Sequence, residues 1–258
     1  MRNFGNYRDL VFVLTQKEIK VRYKNHFLGY LWSIANPLAF TLVFYVAFVI
    51  VMRVKIPEYP YYDLFLVAGL FPWQWFSNSV SASAGSFIGN ASIVKKVNFP
   101  RNVLPLATVL QDMFHFVLSI PVIVAFMAFY KQAPSISWFY GIPLLLAIHA
   151  AFTYGIALIV SSLNLFFRDV EKLVVILMML LFYMTPIIYS GSMMPQKYSF
   201  WMKFFNPLAP LIMSWRKLFL DGVVVPRYIA ASAVTSLIAL GVGCLFYRKL
   251  SPRFAEVL

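Results

Sequence analysis

Apolar residues run along this chain in long uncharged stretches separated by short polar ones. Six such stretches lie at residues 25–52, 62–94 (interrupted only by Asp63), 113–130, 132–167, 173–196 and 228–247. Each is about as long as, or longer than, the roughly 20 residues that an α-helix needs to cross a hydrocarbon core. The stretch at 132–167 is too short for two crossings and a turn, so it predicts one long helix. The pattern predicts an all-α membrane protein with six transmembrane helices, at about 28–52, 64–90, 103–130, 138–164, 173–190 and 228–247.

What lies between these spans carries its own periodicity. Residues 6–27 predict an amphipathic interfacial helix: Asn6 can cap it, Asp9 sits in its first turn, and Leu10, Val13 and Leu14 recur at helical spacing. Lys17, Lys20 and Lys24 are spaced to form its basic face, and the chain divides into this element (1–27) and the transmembrane domain (28–258). Residues 191–227 are too apolar for an ordinary loop and too interrupted by Pro195, Pro207 and Pro210 for two spans. They predict two short re-entrant helices, with Trp201, Lys203, Trp215, Arg216 and Lys217 at headgroup level and Phe204 opening an uncharged piece. Between the second and third spans, residues 91–103 form a short basic element: Lys95, Lys96 and Arg101 beside Ile93, Val94, Val97 and Phe99. That apolar face is too small to span anything and must be covered by lipid or a partner protein.

Composition agrees with a membrane chain: 61% of the residues are hydrophobic and 12% charged, against about 25% charged in soluble domains. A net charge of +13 could suggest nucleic acid, but its distribution does not. With the N-terminus inside, 14 of the 22 Lys and Arg fall in the cytoplasmic segments 1–27, 91–103, 166–172 and 248–258, and five of the other eight share the segment 191–227. The positive-inside rule then places both termini in the cytoplasm, and the basic excess serves orientation and lipid contact, with no nucleic acid. The first apolar run is too long for a cleaved signal peptide. Cys244 is the sole cysteine, which excludes an intrachain disulfide and a cysteine metal framework.

Candidate chemistry is sparse. Trp32, Asn36, Phe40, Phe44 and Phe48 recur every fourth residue, one aromatic stripe on the first span, and Asn36-Pro37 predicts a break in that helix. With Tyr183 and Tyr189 of the fifth span, whose helix Pro186 interrupts, Trp32, Asn36, Phe40 and Phe44 are the candidates for a substrate path. Helix packing is the alternative reading of the same stripe. Ser79, Ser83, Ser86 and Asn90 share a face of the second span, either a close-packing surface or a polar wall. Asp112 and His115, three apart in the third span, are either a proton relay or a hydrogen-bonded anchor between helices. There is no GxxxxGK[ST] phosphate loop, no HExxH and no pair of intramembrane carboxylates. An enzyme is therefore not indicated, no catalytic or metal-ligating residue is assigned, and transport remains.

The motifs LTQKEIKVRYKNHFLGYLWSIANPL (14–38), SIVKKVNFPRNVLPLA (92–107), NLFFRDVEKL (164–173), MTPIIYS (184–190) and NPLAPLIMSWRKLFLDG (206–222) occur in that order. The chain resembles the transmembrane subunit of type-2 ATP-binding-cassette exporters, most closely the permeases for O-antigen and related surface polysaccharides, with teichoic acid permeases as near relatives. The resemblance implies a homodimer in the bacterial inner membrane. It implies two separate ATPase chains that bind ATP and magnesium, so that this chain holds no cofactor. The element 91–103 would be the coupling helix that meets the ATPase through Lys95, Lys96, Val97, Phe99 and Arg101. Residues 191–227 would hold extracytoplasmic gate helices carrying Trp201, Phe204, Trp215 and Arg216. The substrate would be a lipid-linked glycan. A proton-coupled carrier using Asp112 and His115, or an exporter of teichoic acid, lipid or drug, are the alternatives.

Overall fold

The computed structural model describes residues 7–23, 32–96, 99–193 and 206–254. Asn6, Lys24, Val97, Trp201, Lys203 and Phe204, together with the side chains of Asn36 and Lys96, lie outside the described set. Among the described residues the architecture is helical, with a lone bridge between Ile56 and Tyr59 and no strand.

Helix α1 is Tyr7–Tyr23 and α2 is Trp32–Tyr45, continued by a wider π-helical turn, Val46–Val51. Helix α3, Tyr62–Ala84, ends at Gly85 and is followed by two short helices, α4 (Ser86–Gly89) and α5 (Ala91–Lys96). Then come α6 (Val103–Phe129), α7 (Trp138–Phe166), α8 (Val170–Met184), α9 (Ala209–Arg216) with a π-helical turn at Lys217–Asp221, and α10 (Pro226–Leu250). Among the described residues, three helical stretches are individually long and apolar enough to cross a membrane: Val103–Phe129, Trp138–Phe166 and Pro226–Arg253. At 1.5 Å per residue each extends about 40 Å, beyond the roughly 30 Å hydrocarbon core. Helix α8 has 15 residues and stops short of that length.

The expected break at Asn36-Pro37 does not occur: α2 runs through both residues. A proline removes one donor from the ladder, and where neighbouring helices support the backbone the turn continues. Pro72, Pro121 and Pro143 are likewise carried inside α3, α6 and α7.

Helix α3 is the axis of the bundle. Every residue from Leu64 through Trp73 is buried, and the helix packs on α2, α6, α7, α8 and α9. Its Ser79 and Ser83 are fully buried inside the chain, so that face is a packing surface. The helices α7 and α10 approach most closely, because the buried positions of α10 are all small: Ser232, Ser236, Ala239 and Gly243. A β-carbon at Gly243 would stand 2.2 Å from the carbonyl oxygen of Gly155 on α7. Helix α8 sits at the periphery, with Val174 and Met178 buried and Leu173, Val175, Ile176, Leu177, Met179 and Leu180 exposed.

Apolar packing divides into two clusters. The larger fills the bundle from Ile56 to Ala239. The smaller closes the end that holds α1, where Leu10, Leu14, Phe87, Val94, Val103, Leu104, Leu165 and Phe254 meet.

Candidate functional site

At the α1 end, the segment from α5 to Arg101 is short and stands partly free of the bundle. Val94 is buried in the small cluster and Phe99 packs against it, while Ser92 and Lys95 are exposed. Val94 and Phe99 thus anchor the segment on its own chain, while the polar Ser92 and cationic Lys95 face outward. Arg101 Nη1 donates to the carbonyl of Ser251 at 3.3 Å, joining the segment to the turn after α10. That turn is fixed by Phe254, which has no exposed surface and lies 4.9 Å from the Phe87 ring centre and 5.9 Å from that of Tyr247.

Asn90 and Asn102 flank the segment. Lys17 Nζ, on α1, donates to Asn90 Oδ1 at 2.7 Å and is paired with Glu18 at 3.1 Å. Asn102 directs its backbone N–H to the Tyr247 hydroxyl and its amide Nδ2 to the hydroxyls of Tyr7 and Tyr154, each at 3.1 Å. Tyr154 in turn donates to the Asn102 carbonyl at 3.3 Å. Nothing in the local sequence NFPRNVLP marks Asn102 as a junction; an asparagine before a helix reads as a cap, yet its side chain makes no capping bond.

At the opposite end, α8 stops at Met184 and the chain turns through Thr185 and Pro186. The preceding-residue restriction of proline and its missing donor end the helix there, as the sequence predicts. Carbonyls released here would be costly at membrane depth, and four of them are met by side chains. Asn206 Nδ2 donates to the Met184 carbonyl at 3.1 Å, Arg216 Nη1 to that of Pro186 at 2.7 Å, Arg216 Nη2 to that of Ile187 at 2.8 Å, and the Tyr62 hydroxyl to that of Ile188 at 2.8 Å.

The sequence expects Trp215 and Arg216 near the headgroups; in the structure both are buried inside the chain, at 0% and 4% exposure. Trp215 Nε1 donates to His149 Nδ1 at 3.1 Å and the ring stacks 5.2 Å from Phe219. The Arg216 guanidinium lies 3.6 Å over the Phe65 ring. Carbonyl dipoles and an aromatic face solvate this cation where water does not reach.

Beside this elbow the loop after α2 is tied to α9 and its π-helical turn. The Tyr59 hydroxyl donates to Asp221 at 3.2 Å, and Lys217 Nζ donates to the same carboxylate at 2.6 Å. Burial pulls Lys217 downward, but the bonds from Asp221 and Tyr59 outweigh it and hold the amine above its usual range. Ser190 donates to Glu58, and that bond keeps the Glu58 carboxyl below the ordinary value against a smaller opposing effect of burial.

The proposed aromatic path separates into two groups. Phe44 is partly buried against the core, 5.4 Å from Phe182 and 6.1 Å from Phe48. Trp32, Phe40 and Tyr183 are about half exposed, and the Tyr189 hydroxyl donates to the Tyr183 carbonyl at 2.9 Å. Asp112 and His115 are both buried, at 3% and 9%. Ser79 of α3 donates to Asp112 Oδ2 at 3.1 Å, which makes Asp112 a link between α3 and α6.

Comparison with known proteins places this geometry in context. Residues 9–220 match the family described as ABC-2 type transporter. Over 256 residues, 99% of this chain and 97% of the other, it is 50% identical to an O-antigen export system permease protein RfbA of Klebsiella pneumoniae. The namesake of Myxococcus xanthus is 32% identical over 259 residues, covering 99% and 98% of the two chains. The polysialic acid transport protein KpsM of Escherichia coli is 26% identical over 242 residues, 90% of each.

Proposed function

Because the chain belongs to the ABC-2 type transporter family, we propose that it is the channel-forming permease subunit of an ATP-driven exporter of lipid-linked, O-antigen-like polysaccharide. The observation that carries this reading is the end-to-end likeness to permeases named for O-antigen export. The substrate class rests on those names.

In this reading the chain is an integral protein of the bacterial inner membrane with six spans and both termini cytoplasmic, acting as a homodimer. Helix α2 with its π-helical turn, α3, and α8 with its elbow supply the three spans beyond the three long apolar helices. The α1 end faces the cytoplasm, where Lys95 and Arg101 meet a separate ATPase chain that holds ATP and magnesium. Helix α9 is one of the extracytoplasmic gate helices. Exposed aromatic faces at Trp32, Phe40 and Tyr183 suit a glycan, since sugar C–H faces stack on rings with little demand on linkage, as bases do on aromatic platforms. The anchored segment with an outward Lys95 supports the coupling role, because a rigidly held element transmits a push that a loose loop would absorb.

The test is co-purification of this chain with a candidate ATPase chain co-expressed with it, followed by export in cells. A stoichiometric, ATP-hydrolysing complex weakened by Lys95→Glu, with loss of surface polysaccharide, is the expected result. A chain that binds no ATPase and moves solute down a proton gradient would overturn the reading.

A further inference from the structure

The α1 end contains a junction that the coupling role alone does not require. All three N–H bonds of Asn102 point at tyrosine hydroxyls, and the three tyrosines come from three different helices: Tyr7 of α1, Tyr154 of α7 and Tyr247 of α10. Its carbonyl accepts from Tyr154 as well, so the contact with α7 is reciprocal. Asn102 also directly precedes α6, which makes it the point where the coupling segment ends and a membrane-length helix begins.

Helix α1 is tied at both ends of that segment. Lys17 holds Asn90 at its start and Tyr7 holds Asn102 at its end. Tyr7 and Lys17 are ten residues apart, about 15 Å along the helix axis. A displacement of α5 and Arg101 therefore cannot occur without either breaking these bonds or carrying α1 with it. The neighbouring bond from Arg101 to Ser251 and the enclosed Phe254 extend the same connection to the end of α10.

We propose that Asn102 is a positioning residue that passes movement of the ATPase-facing segment to α1, α7 and α10 together, so that ATP hydrolysis is matched to opening of the path. Tyr7, Tyr154 and Tyr247 are its acceptors. The proposal rests on the exporter reading above.

The experiment measures four quantities on the complex of full-length chain and ATPase: the amount inserted, ATPase bound per chain, ATP turnover, and polysaccharide exported per ATP. Asn102→Leu keeps the size and removes the amide. The expected result is ATPase binding and turnover within about twofold of the parent and export per ATP reduced at least tenfold. Tyr154→Phe, which removes one oxygen, is expected to lower export per ATP by a smaller factor and, because its bond to the Asn102 backbone carbonyl survives the Leu substitution, to add less in the Asn102→Leu background than in the parent. Where Asn102→Leu does not accumulate, Tyr154→Phe and Tyr247→Phe carry the test. Unchanged export per ATP, export that falls only in proportion to inserted chain, or effects of Asn102 and Tyr154 that multiply independently would each overturn the proposal. Failure of the parent chain to bind any ATPase would instead remove the exporter reading, and this proposal with it.

Discussion

A β-carbon at Gly69 would stand 2.3 Å from Nη2 of Arg216. Helix α3 therefore needs glycine at this level to let a buried guanidinium reach across to the Pro186 and Ile187 carbonyls. Nη2 ends a long side chain and can retreat, but retreat gives up the bond to Ile187. A hydrogen bond to a charged group contributes about 1.5–3 kcal/mol, while alanine in a helix gains up to about 1 kcal/mol over glycine. Gly69→Ala should therefore destabilise by about 1–2 kcal/mol, read as a lower unfolding temperature in detergent. In an Arg216→Leu background, itself more damaging because two carbonyls lose their donors, Gly69→Ala should cost much less.

The contact of α7 with α10 behaves differently, because what a methyl group would meet there is backbone. Gly243→Ala drives a β-carbon toward the Gly155 carbonyl and Gly155→Ala toward the Ala239 carbonyl, and neither can move without parting the helices. Overpacking of this kind costs about 1–3 kcal/mol or more. Gly241, on the same helix with open space around its β-position, is the control. Gly241→Ala should be neutral or stabilising by up to about 1 kcal/mol, so thermal unfolding should separate the substitutions by sign.

Glu58 gives a pH dependence. Its folded carboxyl is held below the ordinary range, chiefly by the bond from Ser190, with Ser192 and the charges of Lys217 and Arg216 in support against burial. A depressed acid contributes stability that is complete above its unfolded value and is lost as pH falls through the folded one. The difference in unfolding temperature between the parent and Glu58→Gln should be full at pH 7 and should narrow as the pH drops below the ordinary glutamate range. A difference that widens on acidification would reject this assignment.

The exposed and the partly buried members of the aromatic stripe should part in function. Phe44 is partly buried and stacks on Phe182, so Phe44→Ala should lower stability, by less than the about 3–5 kcal/mol that removal of a fully buried phenylalanine costs. Trp32, Phe40 and Tyr183 already stand about half exposed. Replacing them with alanine should leave the inserted amount near that of the parent and change the length distribution of the exported polysaccharide, read on gels of surface glycan.

Helix positions were legible in the sequence where apolar runs and punctuation agree. The long helices start at Val103 and Trp138, and α8 ends just before Thr185-Pro186, because desolvation and proline chemistry act on residue type alone. What a side chain meets across the bundle is not written locally. Arg216 reads as a headgroup anchor until Pro186 and Ile187, about 30 residues away, present bare carbonyls to it. Asn102 reads as a helix cap until three distant tyrosines converge on it. Pro37 reads as a break, yet the helix passes through it. The aromatic stripe shows its spacing, but the division between Phe44 and Phe40 depends on where α8 lies.

Asp112 separates an ATP-driven exporter from a proton-coupled carrier. It accepts from Ser79 at 3.1 Å in a buried contact between α3 and α6, a position that suits a structural anchor. A relay must exchange its proton during each cycle; an anchor needs only an acceptor for the serine. Asparagine keeps that acceptor and cannot carry the proton, so Asp112→Asn should retain ATP-dependent export within about a factor of two. Leucine removes the acceptor and leaves a buried hydroxyl unpaired, which costs about 1–3 kcal/mol, so Asp112→Leu should lower the unfolding temperature and the amount inserted. Export in cells, normalised to inserted chain, reads both variants. Loss of export in Asp112→Asn with folding intact would transfer the mechanism to a proton pathway through this residue.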